Sequence, residues 1–165
     1  MRKARAAAGA TVFFAVAPGV VAGLVPWSLT GWEVRGPDNW SLLRIAGLFM
    51  LAAGAGALVG AFVRFVVEGL GTPAPVAPTE HLVVGGLYRY VRNPMYTAVV
   101  ATILGQALVL RQPVLLVWAA LVAAAVASFV IFYEEPTLSR RYGAEYDAYK
   151  KSVPRWLPHL DRGEP

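Results

Sequence analysis

Glu134 and Glu135 stand side by side at the end of Val114–Tyr133, a run without a single charged residue. Two adjacent carboxylates at the edge of so apolar a run are costly unless a cation compensates them or headgroup water reaches them. Arg89, Arg92, Arg140 and Arg141 are candidate partners, and so is a cationic ligand. The plainer reading is an acidic edge that stops the helix. Tyr88, Tyr90, Tyr96 and Tyr133 lie in the same two stretches of chain. Tyrosines gather at membrane interfaces for reasons unrelated to catalysis. Several around one carboxylate pair also form a cage for an onium group, at about 0.5–2 kcal/mol per contact. Gly85-Gly86 lets main-chain groups approach a ligand, and Asn93-Pro94 opens a helix, with Asn93 as its cap and Pro94 in first position. His81 and His159 are the only histidines, far apart, and cysteine is absent. No zinc site, thiol chemistry, Ser-His-Asp pattern or glycine-rich phosphate loop is expected.

These residues need elements to position them, and the composition says which. The chain has 165 residues, 57% apolar and 15% charged. Thr11–Leu29, Ile45–Val63, Met95–Leu110 and Val114–Tyr133 are all free of charge. A helix rising ~1.5 Å per residue needs about 20 apolar residues to cross ~30 Å of hydrocarbon. Three runs reach about that length and Met95–Leu110 falls slightly short. The expected fold is all-α, a polytopic membrane bundle of four transmembrane helices with a C-terminal amphipathic helix on the cytosolic face. Arg111-Gln112-Pro113 makes the last two runs a tight antiparallel hairpin. The prolines of Thr72–Pro78 end the second helix near Leu70 and divide the chain at 1–70 and 71–165. Pro18 and Pro26 kink the first helix. Ala52, Gly56 and Gly60, with Ala53, Ala57 and Ala61 beside them, allow close helix packing, as do Ala119, Ala123 and Ala127. Tyr142, Tyr146 and Tyr149 recur at helical spacing, as in a helix lying on the membrane surface.

Charge sets the orientation. Of the 15 Lys and Arg, only Arg35, Arg44 and Arg111 fall on the outer side if the N-terminus is cytoplasmic, and the other twelve lie inside. The net charge of +5 is thus a topology signal rather than a nucleic-acid one. The first run reads as a membrane helix and not a cleaved leader, because it continues past Ala15-Val16-Ala17 to Leu29. The glutamates, the loop before the third helix and the tail then meet at the inner face of a multi-pass inner- or plasma-membrane protein.

The series Leu82-Val83-x-x-Gly86-x-Tyr88-x-x-x-Arg92-Asn93-Pro94-x-Tyr96, a helical hairpin, Glu134-Glu135-x-x-Leu138-x-x-x-Tyr142-Gly143-x-x-Tyr146-x-x-Tyr149 and Val153-Pro154-Arg155-x-Leu157-Pro158 resembles the integral-membrane methyltransferases. These comprise the isoprenylcysteine carboxyl methyltransferases and the phospholipid methyltransferases. The resemblance covers Pro73 to about Pro158. It implies S-adenosylmethionine at the cytosolic end of the hairpin, bound by Glu80, His81, Leu82, Val83, Tyr88, Asn93, Pro94, Met95, Tyr96 and Glu134. Glu135, which completes the glutamate pair, and Arg92, which can hold the cofactor carboxylate, are the expected catalytic residues. The cofactor's sulfonium and ammonium suit carboxylates and aromatic faces.

Three positions depart from the pattern. Asn93 stands where histidine is usual, Ala98 where a glycine often lies in the pocket floor, and Val130 where prenylcysteine enzymes carry a substrate-binding arginine. The acceptor implied is a lipophilic molecule arriving from the bilayer, the protein being a monomer or weak homodimer. Two other readings stay open. One is a nicotinamide-dependent membrane reductase, since sterol reductases share a similar Arg-x-Pro-x-Tyr pattern. The other is a non-enzymatic helical packing or lipid-sensing protein.

Overall fold

Proline and glycine punctuate the chain where its apolar runs change direction, and the computed structural model follows that punctuation. Residues 16–36, 42–69 and 82–158 are described, without the side chains of 65–69, and no strand occurs among them. Helix α1 is Val16–Thr30, α2 is Leu42–Gly69, α3 is Pro94–Leu110, α4 is Pro113–Tyr142 and α5 is Ala144–Ser152. A 3-10 turn, Gly86–Arg89, precedes α3. The Pro-rich stretch, Glu80, His81 and His159 lie outside the described residues.

Pro94 and Pro113 each occupy a first helical turn, where a missing N–H costs nothing. Between them Arg111 turns left-handed (φ 54°) and donates its N–H to Ala107 O, closing the expected hairpin. Buried Gln112 donates Nε2 to Glu33 O at 3.0 Å, and Arg35 N–H donates to Leu110 O at 3.0 Å. The segment after α1 is thereby stapled to the hairpin tip.

Two helices, Leu42–Arg64 within α2 and all of α4, are long and apolar enough to cross a membrane, while α1 and α3 are shorter apolar helices. Only 22% of each long helix's most apolar window is buried. Leu42, Phe49, Val117 and Phe132 stand in the open. A core helix of a soluble protein would have covered them.

The main packing joins α2 to α3 through glycines. A Cβ on Gly47 would stand 2.7 Å from Leu108 Cβ, and one on Gly105 would stand 2.7 Å from Leu51 N. Of the expected small residues, Ala52, Gly56 and Gly60 are exposed, with nothing within 4 Å of a Cβ on either glycine, whereas Ala61 is fully buried and Ala57 packs against the core. The expected spacing thus holds for Ala57 and Ala61, while the closest approach to α3 is at Gly47 and Gly54, seven apart.

Both α1 and α4 contain a π turn, Val20–Leu24 and Val130–Glu134. In each, the last N–H before a proline reaches back five residues, Val25 to Val20 O and Glu135 to Val130 O. Pro26 and Pro136 follow immediately. Proline cannot donate and clashes with the carbonyl four residues earlier, and the widened turn relieves that clash.

The tail corrects an expectation. Gly143, at φ 54° and ψ −125°, breaks the helical path, so the three tyrosines straddle two helices. That conformation is one that glycine tolerates and L side chains do not. Tyr146, Tyr149 and Val153 are buried, with Leu82, Leu138 and Tyr142 packed around them. The aromatic stripe faces protein, not a membrane surface.

Candidate functional site

Where the apolar stretch of α4 gives way to charged residues, the adjacent glutamates have different partners. Glu134 Oε2 accepts a 3.0 Å hydrogen bond from Tyr96 Oη, joining the first turn of α3 to the π turn of α4. Glu135 accepts two bonds from Arg155, at 2.8 Å from Nε and 2.8 Å from Nη2. Arg92 Nη1 also stands 3.0 Å from Glu135 Oε1. The side chains of Arg92 and Glu135 are only 10% and 13% exposed. Arg92 Nε and Nη1 are nonetheless buried without a well-aligned hydrogen bond. Both nitrogens are closed off from solvent, so only the remainder of the guanidinium can face the adjoining cavity.

The tail supplies the scaffold. Tyr149 Oη donates to Tyr88 O at 2.6 Å, Arg92 N–H to Pro154 O at 2.9 Å, and Asn93 Nδ2 to Arg155 O at 3.2 Å. Asn93 holds the cap position of α3, but its side chain makes no cap bond. Its amide ties the tail to the loop. Burial pushes the Tyr146 phenol up to about 12, helped by the Glu135 charge and opposed by the charge and hydrogen bond of Arg92. Burial and Tyr146 raise Tyr149 as well, against Arg92. The hydrogen bonds to Glu135 hold the Arg155 guanidinium above its usual value. This corner stays a neutral phenol pair beside a fixed ion-pair network.

A cavity of about 620 Å³ opens beside these groups, within the range of small-molecule sites. Tyr88, Arg92, Asn93, Tyr96 and Glu134 line one end, together with Pro94 and Met95. The remainder is apolar, walled by Val21 of α1, Leu58 of α2, Val99 of α3 and Trp118 and Val126 of α4.

Of the residues singled out from sequence, seven therefore share the cavity: Tyr88, Arg92, Asn93, Pro94, Met95, Tyr96 and Glu134. Val83 packs with Ala61 and Tyr88, and Leu82 with Tyr146 and Tyr149, both away from the lining. Glu135 lies behind Arg92. Tyr90 and Tyr133 are exposed, with Tyr133 stacked on Phe129, and take no part in a cage. Ala98 belongs to the buried core and not to the cavity lining. Arg155 was missed as the partner of Glu135, although Val153-Pro154-Arg155 was visible as a motif. The wall from α1 was missed too, because an all-apolar helix gives no contrast to mark a lining face.

The model of the phospholipid methyltransferase family matches residues 42–145, from the start of α2 into α5, and so extends further toward the N-terminus than the motifs. No curated protein and no solved structure matches the chain. With well over half its length matched, and the paired glutamates inside that match, this chain belongs to the phospholipid methyltransferase family.

Proposed function

We propose that the protein is an S-adenosylmethionine-dependent methyltransferase acting on a lipophilic acceptor that reaches the cavity from the bilayer. Membership of the family supports transfer chemistry, and the two long apolar helices support a membrane setting. In this reading α1 to α4 all cross the membrane, both termini are cytoplasmic, and the Glu134 end of the cavity lies at the cytosolic leaflet, an orientation that the distribution of basic residues favours. The observation that carries the reading is one cavity with charge at one end only: Glu134 with Tyr96, and Arg92, beside a long apolar wall.

The residues present fit the cofactor. Arg92 would hold its carboxylate, Glu134 its cationic portion, and Tyr88 and Tyr96 would offer ring faces. When bound, S-adenosylmethionine supplies a methyl group on an electrophilic sulfonium. The protein's share is alignment and exclusion of water by the apolar wall. A lipid amine must shed its proton before it can attack, since an alkylammonium of pKa about 10.4 has no lone pair. Glu134 is the carboxylate that faces the cavity, and Tyr96 occupies Oε2, leaving Oε1 for the cofactor's cationic portion. Glu135 acts by positioning Arg92. Val130 is fully buried, so the place where prenylcysteine enzymes carry arginine offers no guanidinium to an acceptor carboxylate.

Titrating the purified protein in detergent with S-adenosylmethionine tests this. The wild type should bind, and Glu134→Gln should bind about 10- to 100-fold more weakly, as loss of a hydrogen-bonded charge costs about 1.5–3 kcal/mol. Membranes given methyl-labelled cofactor should yield a labelled, organic-extractable product. Equal affinity of the two proteins would take Glu134 out of the site, and absence of both binding and labelled lipid would overturn the reading.

A further inference from the structure

The apolar part of the cavity has a shape of its own. Near the hairpin tip, Val25–Thr30 of α1 packs directly on the first half of α4. Further down, Ala17, Pro18 and Val21 stand across the cavity from Leu121, Ala125 and Val126. Leu121 is 58% exposed and still lines the cavity, so the space opens sideways between α1 and α4. Trp118 sits where the gap closes, its indole N–H donated to Val21 O at 2.9 Å. From Trp118 to Glu134 is roughly 24 Å of helix at ~1.5 Å per residue.

We infer that this slot holds one hydrocarbon chain of a membrane amphiphile, and that Trp118 is the stop that limits the chain's length. The inference rests on the methyltransferase reading for its polar end and names the shape of the acceptor. Charge complementarity selects the occupant. The ligand must be polar where Arg92 and Glu134 stand and apolar over the rest, where Trp118 has already spent its only donor on Val21. A peptide segment would bring backbone groups with no partners there, and a lipid tail brings none. A chain entering sideways needs no passage through water.

Two measurements test it. In the first, membranes carrying the protein receive methyl-labelled cofactor and the labelled product is resolved by chain length. In the wild type each methylene beyond the stop should cost about tenfold or more in relative turnover. Trp118→Ala should bring that factor close to one and move the product toward longer chains. Trp118→Phe, which keeps the ring and loses the N–H, should retain the limit. Equal profiles in all three proteins, or Phe behaving as Ala, would overturn the stop.

The second measurement needs no turnover. A variant whose only tryptophan is Trp118 is titrated in detergent with alkyltrimethylammonium chains, decyl to octadecyl, brominated at the terminal carbon. Saturable quenching that peaks at one chain length supports the slot. Linear quenching independent of length overturns it. Saturable quenching with no labelled product from the wild type would sustain the slot while removing the methyltransferase reading.

Discussion

The two π turns are made by the same sequence device, an apolar run ending in a residue followed by proline, yet they do different work. In α1 the shift to a five-residue bond leaves Val21 O without Val25 N–H, and Pro26 leaves Ala22 O without a donor. Trp118 takes the first carbonyl and Gln106 Nε2 takes the second at 2.7 Å. Freed backbone groups thus become the joints by which α1 is held to α3 and α4. In α4 the turn comes at the end of the apolar run, beside the first charged residues. Glu134 goes to the cavity and Glu135 to Arg155 and Arg92. A π turn deep among apolar helices frees carbonyls for packing, and one at their edge lies beside the charged groups of the cavity.

The largest expected effect is at the edge. Glu135→Ala leaves Arg92, nine-tenths buried, without its acidic neighbour. Breaking a buried ion pair from one side costs about 3–5 kcal/mol, discounted here because Arg155 is 35% exposed. Thermal unfolding in detergent should shift down markedly, and cofactor affinity should fall with it as Arg92 loses its position. An unchanged affinity would mean that Arg92 is placed by the backbone alone. A smaller effect is expected in the interior. Gln106→Leu strips Ala22 O of its donor, at about 1–3 kcal/mol, and should lower thermal stability while leaving cofactor affinity intact. Loss of affinity there would show that α1 is coupled to the charged end, and would blur the distinction between the two turns.

The sequence made the framework legible wherever polarity changes abruptly. Arg111-Gln112-Pro113 interrupts two apolar runs, so the hairpin was plain, and Asn93-Pro94 placed the start of α3. The convergence of Glu134 with Tyr88 and Tyr96 followed from the hairpin alone. Where every residue is apolar, periodicity has no contrast, so Gly47 and Gly54 of α2 and the cavity wall of α1 were not picked out. The tail failed for the opposite reason. Its tyrosines kept helical spacing across Gly143, and spacing cannot register a break at a residue free to take φ 54°. Arg155 is nineteen residues beyond Pro136, and only the fold of the tail onto the loop brings it to Glu135.

The smallest effect concerns the tail itself and separates buried tyrosine from interfacial tyrosine. Tyr146 has its phenol pushed from the ordinary 10.0 up to about 12 by burial and by Glu135. A group that is neutral when protonated and whose folded value is raised contributes stability below its unfolded value, and loses it as pH rises through the folded one. The protein should therefore lose stability between about pH 10 and pH 12, with phenolate absorbance rising in step. Tyr146→Phe should cost about 1 kcal/mol at neutral pH, for one hydrogen bond, and should flatten that alkaline loss. A tyrosine lying on a membrane surface would ionise near pH 10 and leave stability unmoved above it. An alkaline profile identical in wild type and Tyr146→Phe would return the tail to the surface and free Arg92 and Arg155 from the support described for them.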